Sequence, residues 1–145
     1  MNRENQILLT GGTGYVGGRL LQALENSGYA VRCIARRPQA LQGRVGKNTE
    51  VVFGDCFQPE SLSAALAGVH TAYYLVHSMG SAGSFEEKDR QAASNFAQAA
   101  HQAKVRRIIY LGGLGEGALS AHLRSRQEAG EALASTCLDV VEFRA

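Results

Sequence analysis

Gly11, Gly14 and Gly17 recur every third residue in "ILLTGGTGYVGGRL", where an apolar run meets a helix-forming segment. Glycines so placed suit the binding of a diphosphate. The early ones let the chain turn sharply and bring backbone N–H groups against phosphate oxygens. The last lets a helix pack closely on the preceding strand, and the helix N-terminus adds partial positive charge. Thr10 and Thr13 are expected to add hydroxyl donors. The alternative, a flexible strand–helix turn with no ligand, leaves three glycines in this placement without a reason.

The kind of dinucleotide is read from the second apolar run, "VRCIARRP". A site for NAD carries Asp or Glu at the end of that strand, where it binds the ribose hydroxyls. No acidic residue lies between Glu25 and Glu50, whereas Arg32, Arg36, Arg37, Arg44 and Lys47 all do. Arg36 and Arg37 stand 19 and 20 positions after Gly17, and a guanidinium pairs with a 2′-phosphate through a two-pronged fork. The expected cofactor is therefore NADP rather than NAD, against the alternative that both arginines are solvated loop residues. Arg32, inside the run, and Lys47, far beyond it, are read as surface charges.

These residues need a frame. Strands are expected at 6–10, 30–35, 50–54, 71–76, 106–112 and 138–143, several of them β-branched and almost continuously apolar, as strands covered on both faces are. Between them lie the helical segments "GYVGGRLLQALENSG", "ESLSAALAG", "SFEEKDRQAASNFAQAAHQAK" and "ALSAHLRSRQEAGEALAST". In the third, Phe85, Ala92, Phe96, Ala100 and Ala103 form one apolar stripe. Gly28, Gly68 and the turn at 104–107 mark helix ends. Strands alternating with helices predict an α/β domain: a doubly wound parallel sheet, the Rossmann fold, with helices on both faces and strand order 3-2-1-4-5-6.

The chain has 145 residues, the size of one domain with a single core. No apolar run approaches the length of about 18 residues that a membrane span requires, and "MNRENQILL" lacks the order of a secretory signal, so a cytoplasmic protein without a membrane partner is expected. A net charge of +2 calls for no nucleic-acid partner. Cys33, Cys56 and Cys137 are widely spaced and odd in number, which predicts reduced, buried thiols and no metal site.

The motif "TGGTGYVG", then "IARRP", "GD" at 54–55, "YYLVHSMG", "NFAQAAHQAKVRRIIYLGGLG" and the closing "FRA" together resemble an atypical short-chain dehydrogenase/reductase. Within that group the chain looks like the NmrA-like NAD(P)H-binding branch, especially bacterial members with an additional C-terminal domain. The resemblance covers nearly the whole chain. It implies that Gly11, Gly14 and Gly17, with Tyr15 and Val16, line the diphosphate. Arg36 matches the family's 2′-phosphate arginine, with Arg37 beside it. Asp55 matches the acidic residue that accepts a hydrogen bond from the adenine amino group, and Cys56 follows with its backbone. A cap or turn before "PESL" is the other role open to Asp55. Leu75, Val76 and His77 fall where the fourth strand runs beneath the ribose and nicotinamide.

A reductase of this family uses a serine at the end of the fifth strand and a Tyr-x-x-x-Lys on the next helix; the lysine lowers the tyrosine pKa and the tyrosine passes a proton to the substrate. Here Gly112 and Gly113 stand at the serine position. The best alignment on the helix gives His122-x-x-x-Arg126, one turn apart on one face. His122 can donate a proton near neutral pH, whereas Arg126 only orients groups or stabilises anions. The alternative is an ordinary polar pair at the cleft. His77, with Ser78, is a second candidate for substrate contact, against a turn that closes the strand. Ser120 and Ser125 lack the context of the standard serine, and Tyr110 is expected to pack in the sheet.

Two readings follow: an NADP-dependent oxidoreductase acting on a small organic substrate with a nonstandard active site, or an NADPH-dependent redox sensor, regulatory or assembly factor without turnover. The whole span 1–145 reads as one dinucleotide-binding domain that stops before the substrate-binding part, and a homodimer paired through the helices near 84–103 and 118–135 fits this fold.

Overall fold

The computed structural model describes residues 3–76, 85–112, 121–136 and 139–144. Among these described residues, after a 3-10 turn at Arg3–Asn5, six strands alternate with five helices. They are β1 (Gln6–Thr10), α1 (Tyr15–Asn26), β2 (Val31–Ala35), α2 (Gln39–Gln42), β3 (Thr49–Phe53), α3 (Pro59–Leu66), β4 (Val69–Tyr74), α4 (Phe85–Gln102), β5 (Arg107–Gly112), α5 (Ala121–Ala134) and β6 (Asp139–Arg144). All strand pairs are parallel, and the sheet order is β3-β2-β1-β4-β5-β6, as the alternation of apolar runs predicts. β4 starts two residues earlier than the apolar pattern suggests, because Val69 already pairs with Gln6 of β1 and the His70 carbonyl accepts the Arg106 amide just before β5. The four-residue α2 has no amphipathic period long enough to read from sequence.

Successive strand residues point to opposite faces, and the two faces build two apolar clusters. On one, Leu8, Ala72, Tyr74, Ile108 and Tyr110 meet Leu62 and Leu66 of α3, Phe96 of α4 and Leu133 of α5. The rings of Tyr74 and Phe96 lie 4.9 Å apart between centroids, tilted in the arrangement that aromatic quadrupoles favour. On the other face, Ile7, Leu9, Val31 and Cys33 meet Leu21 and Leu24 of α1 and Leu41 of α2. Each fully buried large side chain contributes about 1.5–3 kcal/mol. The β4–β6 half of this second face is thinly covered: Tyr73, Leu75, Ile109, Leu111 and Val141 are half-buried and Phe143 is 60% exposed.

Helix ends follow the glycine signals. Gly28 and Gly68 take φ of 81° and 76°, and Lys104 takes 62° in the same left-handed region. Lys104 bears that strain because the Val105 amide returns to the Ala100 carbonyl at 3.0 Å and closes α4. Arg32 departs from the sequence reading. Its side chain is 16% exposed, donates through Nη1 to the Ala65 and Ala67 carbonyls at 2.7 and 2.8 Å, and faces the Glu50 carboxylate at 3.3 Å. It closes the orphaned carbonyl end of α3 rather than meeting solvent.

Candidate functional site

The turn from β1 into α1 is built on three glycines with three separate reasons. Gly11 has φ of 73°, and a Cβ there would stand 2.9 Å from the Leu75 carbonyl oxygen, so the turn lies directly against the end of β4. At Gly17 any side chain would run into the Gly11 carbonyl, which is how closely α1 sits on the turn. Gly14 is different. Its φ and ψ of −80° and 174° suit any residue, and an added Cβ would meet only the Gly11 oxygen, at 3.4 Å. The chain's own packing does not require glycine at 14, so the missing side chain leaves the approach to α1 open from outside.

That approach leads to bare amides. Gly14 N–H closes the turn on the Gly11 carbonyl at 3.0 Å, and the first helical bond is Gly18 N–H to Gly14 O at 2.8 Å. The amides of Tyr15, Val16 and Gly17 therefore have no partner along the helix. Gly14 offers no side-chain cap and the first turn holds no acidic residue, so nothing in the helix's own first turn offsets the positive end of its dipole. Thr13, Tyr15 and Val16 are exposed around this end. Thr10 is a correction: its hydroxyl donates to the Tyr73 carbonyl at 2.9 Å and accepts from the Leu75 amide at 2.8 Å, so it stitches β1 to β4 and is no donor to a ligand.

Beyond β2, Arg36 and Arg37 are exposed, and among the described residues neither has a carboxylate within 4 Å. Across from them, Asp55 and Cys56 follow β3. The Asp55 carboxylate accepts the Phe57 amide at 2.9 Å, and the Ser61 hydroxyl accepts the Asp55 amide at 2.9 Å. The turn role anticipated for Asp55 is thus realised, and its carboxylate retains further acceptor capacity. Cys56 is buried; burial first, then the Asp55 charge, push its thiol up to about 12, with the nearby Arg36 guanidinium working the other way. Burial and Glu25 likewise push Cys33 up to about 12. Both are free, neutral thiols, as expected; Cys137 lies outside the described residues. One contributor escaped sequence reasoning: Asn95 of α4 donates to the Cys56 carbonyl at 2.8 Å and accepts from Gln91 at 2.8 Å, fixing the loop that carries Asp55. Its only signal is a polar residue next to Phe96 on the apolar stripe.

Leu75 and Val76 are half-buried at the end of β4, beside the Gly11 turn. The structure thus brings residues 11–17, 36–37, 55–56 and 75–76 to the C-terminal edge of one parallel sheet, around the point where strand order reverses between β1 and β4.

The end of β5 is built otherwise. A Cβ at Gly112 would fall on the Glu142 carboxylate, which reaches across from β6. The same oxygen would stand 3.2 Å from a Cβ at Gly130 of α5, so two glycines open a slot for Glu142, and Arg144 lies 3.4 Å from its other oxygen. Tyr110 packs in the sheet as predicted and donates its hydroxyl to the Arg126 carbonyl at 2.7 Å. Burial and then Glu142 push its phenol well above the ordinary range, and burial raises Tyr74 likewise, so both keep their protons at neutral pH. The Ser125 hydroxyl donates to the buried Asp89 carboxylate at 2.7 Å, inside the α4–α5 contact. Arg126 is half-buried, one turn after His122 on α5; the backbone of His122 is placed in the helix, its side chain lies outside the described residues, and His77 lies wholly outside them.

Topology and cradle together define a dinucleotide-binding Rossmann domain. The model of the NAD(P)H-binding family matches residues 11–138, and the chain belongs to that family, within the NAD(P)-binding short-chain dehydrogenase/reductase and NmrA-like superfamily. It is 32% identical over 115 residues to the 3-beta-hydroxysteroid dehydrogenase of Mycolicibacterium neoaurum, covering 72% of this chain and 31% of that protein. To the photosystem II assembly factor Ycf39 of Cyanophora paradoxa it is 35% identical over 63 residues, covering 43% of this chain and 20% of that one. The fold superposes on the Citrobacter sp. triphenylmethane reductase complexed with NADP(H) with a TM-score of 0.83 and 26% identity, over 96% of this chain and 48% of that chain. The chain therefore spans about a third of the first relative and about half of the structural neighbour. Its family is oxidoreductase-like, with reductases among its relatives. No helix among the described residues is long and apolar enough to cross a membrane.

Proposed function

We propose that residues 1–145 form the NADP(H)-binding part of an oxidoreductase that acts on a small organic substrate with a nonstandard active site. The observation that carries this reading is the pair of exposed arginines, Arg36 and Arg37, which among the described residues have no carboxylate partner, at the end of β2 where an NAD site needs a carboxylate. The bare amides of Tyr15, Val16 and Gly17 would hold the diphosphate, with Gly11, Thr13 and Gly14 around it. Arg36 and Arg37 would fork the 2′-phosphate. Asp55 and the Cys56 backbone would meet the adenine, and Leu75, Val76 and His77 would run beneath the ribose and nicotinamide.

When bound, the dinucleotide supplies or takes up a hydride. The proton that accompanies it would have no serine to pass through, since glycines stand at 112 and 113. His122 is the candidate proton donor, with Arg126 orienting the substrate or stabilising a developing anion and His77 contacting the substrate. The substrate-binding part would lie outside these residues.

A second reading, a non-catalytic NADPH-dependent sensor or assembly factor, is favoured by the filled serine position and by the similarity to an assembly factor. Titration with NADPH and NADH tests the cofactor. NADPH is expected to bind at least about tenfold more tightly, since a charge-assisted contact contributes about 1.5–3 kcal/mol, and Arg36→Ala should remove that preference. Equal affinities, unchanged by the substitution, would sink the assignment. Steady NADPH oxidation against a carbonyl and quinone panel, lost in His122→Ala, separates enzyme from sensor.

A further inference from the structure

We infer that Arg19, seated on the ring of Tyr15, is a further binding residue for the diphosphate bridge of the dinucleotide. The inference rests on the cofactor reading above and adds a side-chain cation to what is otherwise a backbone cradle.

Arg19 stands one turn after Tyr15 on the outer face of α1, opposite the buried Gly17, Leu21 and Leu24. Its guanidinium carbon lies 4.5 Å from the centre of the Tyr15 ring, and that ring is 76% exposed beside the open end of the helix. Helical side chains lean toward the N-terminus, and the guanidinium accordingly lies over the ring one turn before it, at the end of the helix where the amides of Tyr15, Val16 and Gly17 begin.

The charge has no other employment. Among the described residues no carboxylate lies within 4 Å of Arg19. The one acidic residue of α1, Glu25, is committed elsewhere: its Oε1 accepts the Gly46 amide at 2.8 Å and the Thr49 hydroxyl at 2.6 Å. A cation near the positive end of a helix dipole is moreover unfavourable for the free protein. Tyr15 offsets part of that by presenting its π-face, and this contact also orders the guanidinium before any ligand arrives. An anion docked on the amides of Tyr15, Val16 and Gly17 would reverse the sign of the electrostatics. A diphosphate carries two negative charges, more than the roughly half charge of a helix end can match.

The diphosphate is common to NADH and NADPH, whereas the 2′-phosphate belongs to NADPH alone. Fluorescence titration with each nucleotide therefore tells a diphosphate residue from a 2′-phosphate residue. Arg19→Gln is expected to weaken both nucleotides about tenfold. Arg36→Gln should weaken NADPH only. Tyr15→Leu, which removes the ring face that orders the guanidinium, should weaken both by an intermediate factor. In melting experiments without nucleotide, Arg19→Gln should equal or exceed the parent, while its nucleotide-induced rise in Tm shrinks. Unchanged affinities in Arg19→Gln, a loss confined to NADPH, or a lowered Tm without nucleotide would each overturn the inference. A parent chain that binds neither nucleotide would overturn the cofactor reading itself.

Discussion

The two halves of the sheet treat the C-terminal ends of their strands differently. At the β1–β3 end, backbone dominates: among the described residues, amides lie bare at the head of α1, an added Cβ at Gly14 would meet only the Gly11 oxygen, and Arg36 and Arg37 have no carboxylate partner. At the β5–β6 end the described side chains are turned on one another. Glu142 fills the space over Gly112, Tyr110 is bonded to the Arg126 carbonyl, and Ser125 is bonded to Asp89. One end is preorganised for something outside the chain, the other is largely satisfied from within. Nucleotide binding needs the first arrangement alone; turnover needs groups free to exchange a proton at the second.

The largest effect that would break this contrast lies within the glycine cradle. Gly17→Ala should lower the unfolding free energy by about 3 kcal/mol or more, because its methyl meets backbone that has no room to move. Gly14→Val should instead stay within about 1 kcal/mol of the parent in a urea melt while losing NADPH binding by tenfold or more. Equal stability losses at the two positions would mean that Gly14 serves packing, as Gly17 does.

A smaller effect sharpens the other half. Gly112→Ser should cost at most about 1 kcal/mol with Glu142 in place, because the atom in its way is the flexible end of that side chain, and less still in a Glu142→Ala background. NADPH affinity should stay within about twofold in both. Additive stability losses would show that Glu142 is not what fills the serine position.

The smallest effect concerns pH. Cys33 and Cys56 hold their protons up to about 12 in the fold, against 9.0 for an ordinary thiol. Between those values the unfolded chain has released protons that the folded chain retains. The contribution of these thiols is thus complete below pH 9 and lost as pH rises toward 12. Tm should fall over that interval, and neither thiol should react with a disulfide reagent at pH 8 unless the chain is unfolded. Rapid labelling of the native protein would contradict the burial of both.

Much of the nucleotide half was legible because it is local. Residues 11–17 do their work within one strand–turn–helix, and spacing along the chain reports spacing in the structure. The same holds for Arg36 and Arg37, which follow β2 directly. Arg32 was misread because its partners, the Ala65 and Ala67 carbonyls, are more than thirty residues away and give no local sign. Thr10 failed for the same reason: its hydroxyl is taken by β4, at a distance of about sixty residues in sequence. Asn95 carries no local sign either, because the Cys56 carbonyl to which its amide donates lies 39 residues away in sequence.

The chain's own order of apolar runs, glycines and helical segments determined the doubly wound sheet, its strand order and the diphosphate-type turn, since period and turn chemistry are properties of neighbouring residues. Only the tertiary structure decided what meets Gly112. That answer depends on a carboxylate from β6 reaching over β5 and against α5, a meeting of three elements that sequence separation conceals.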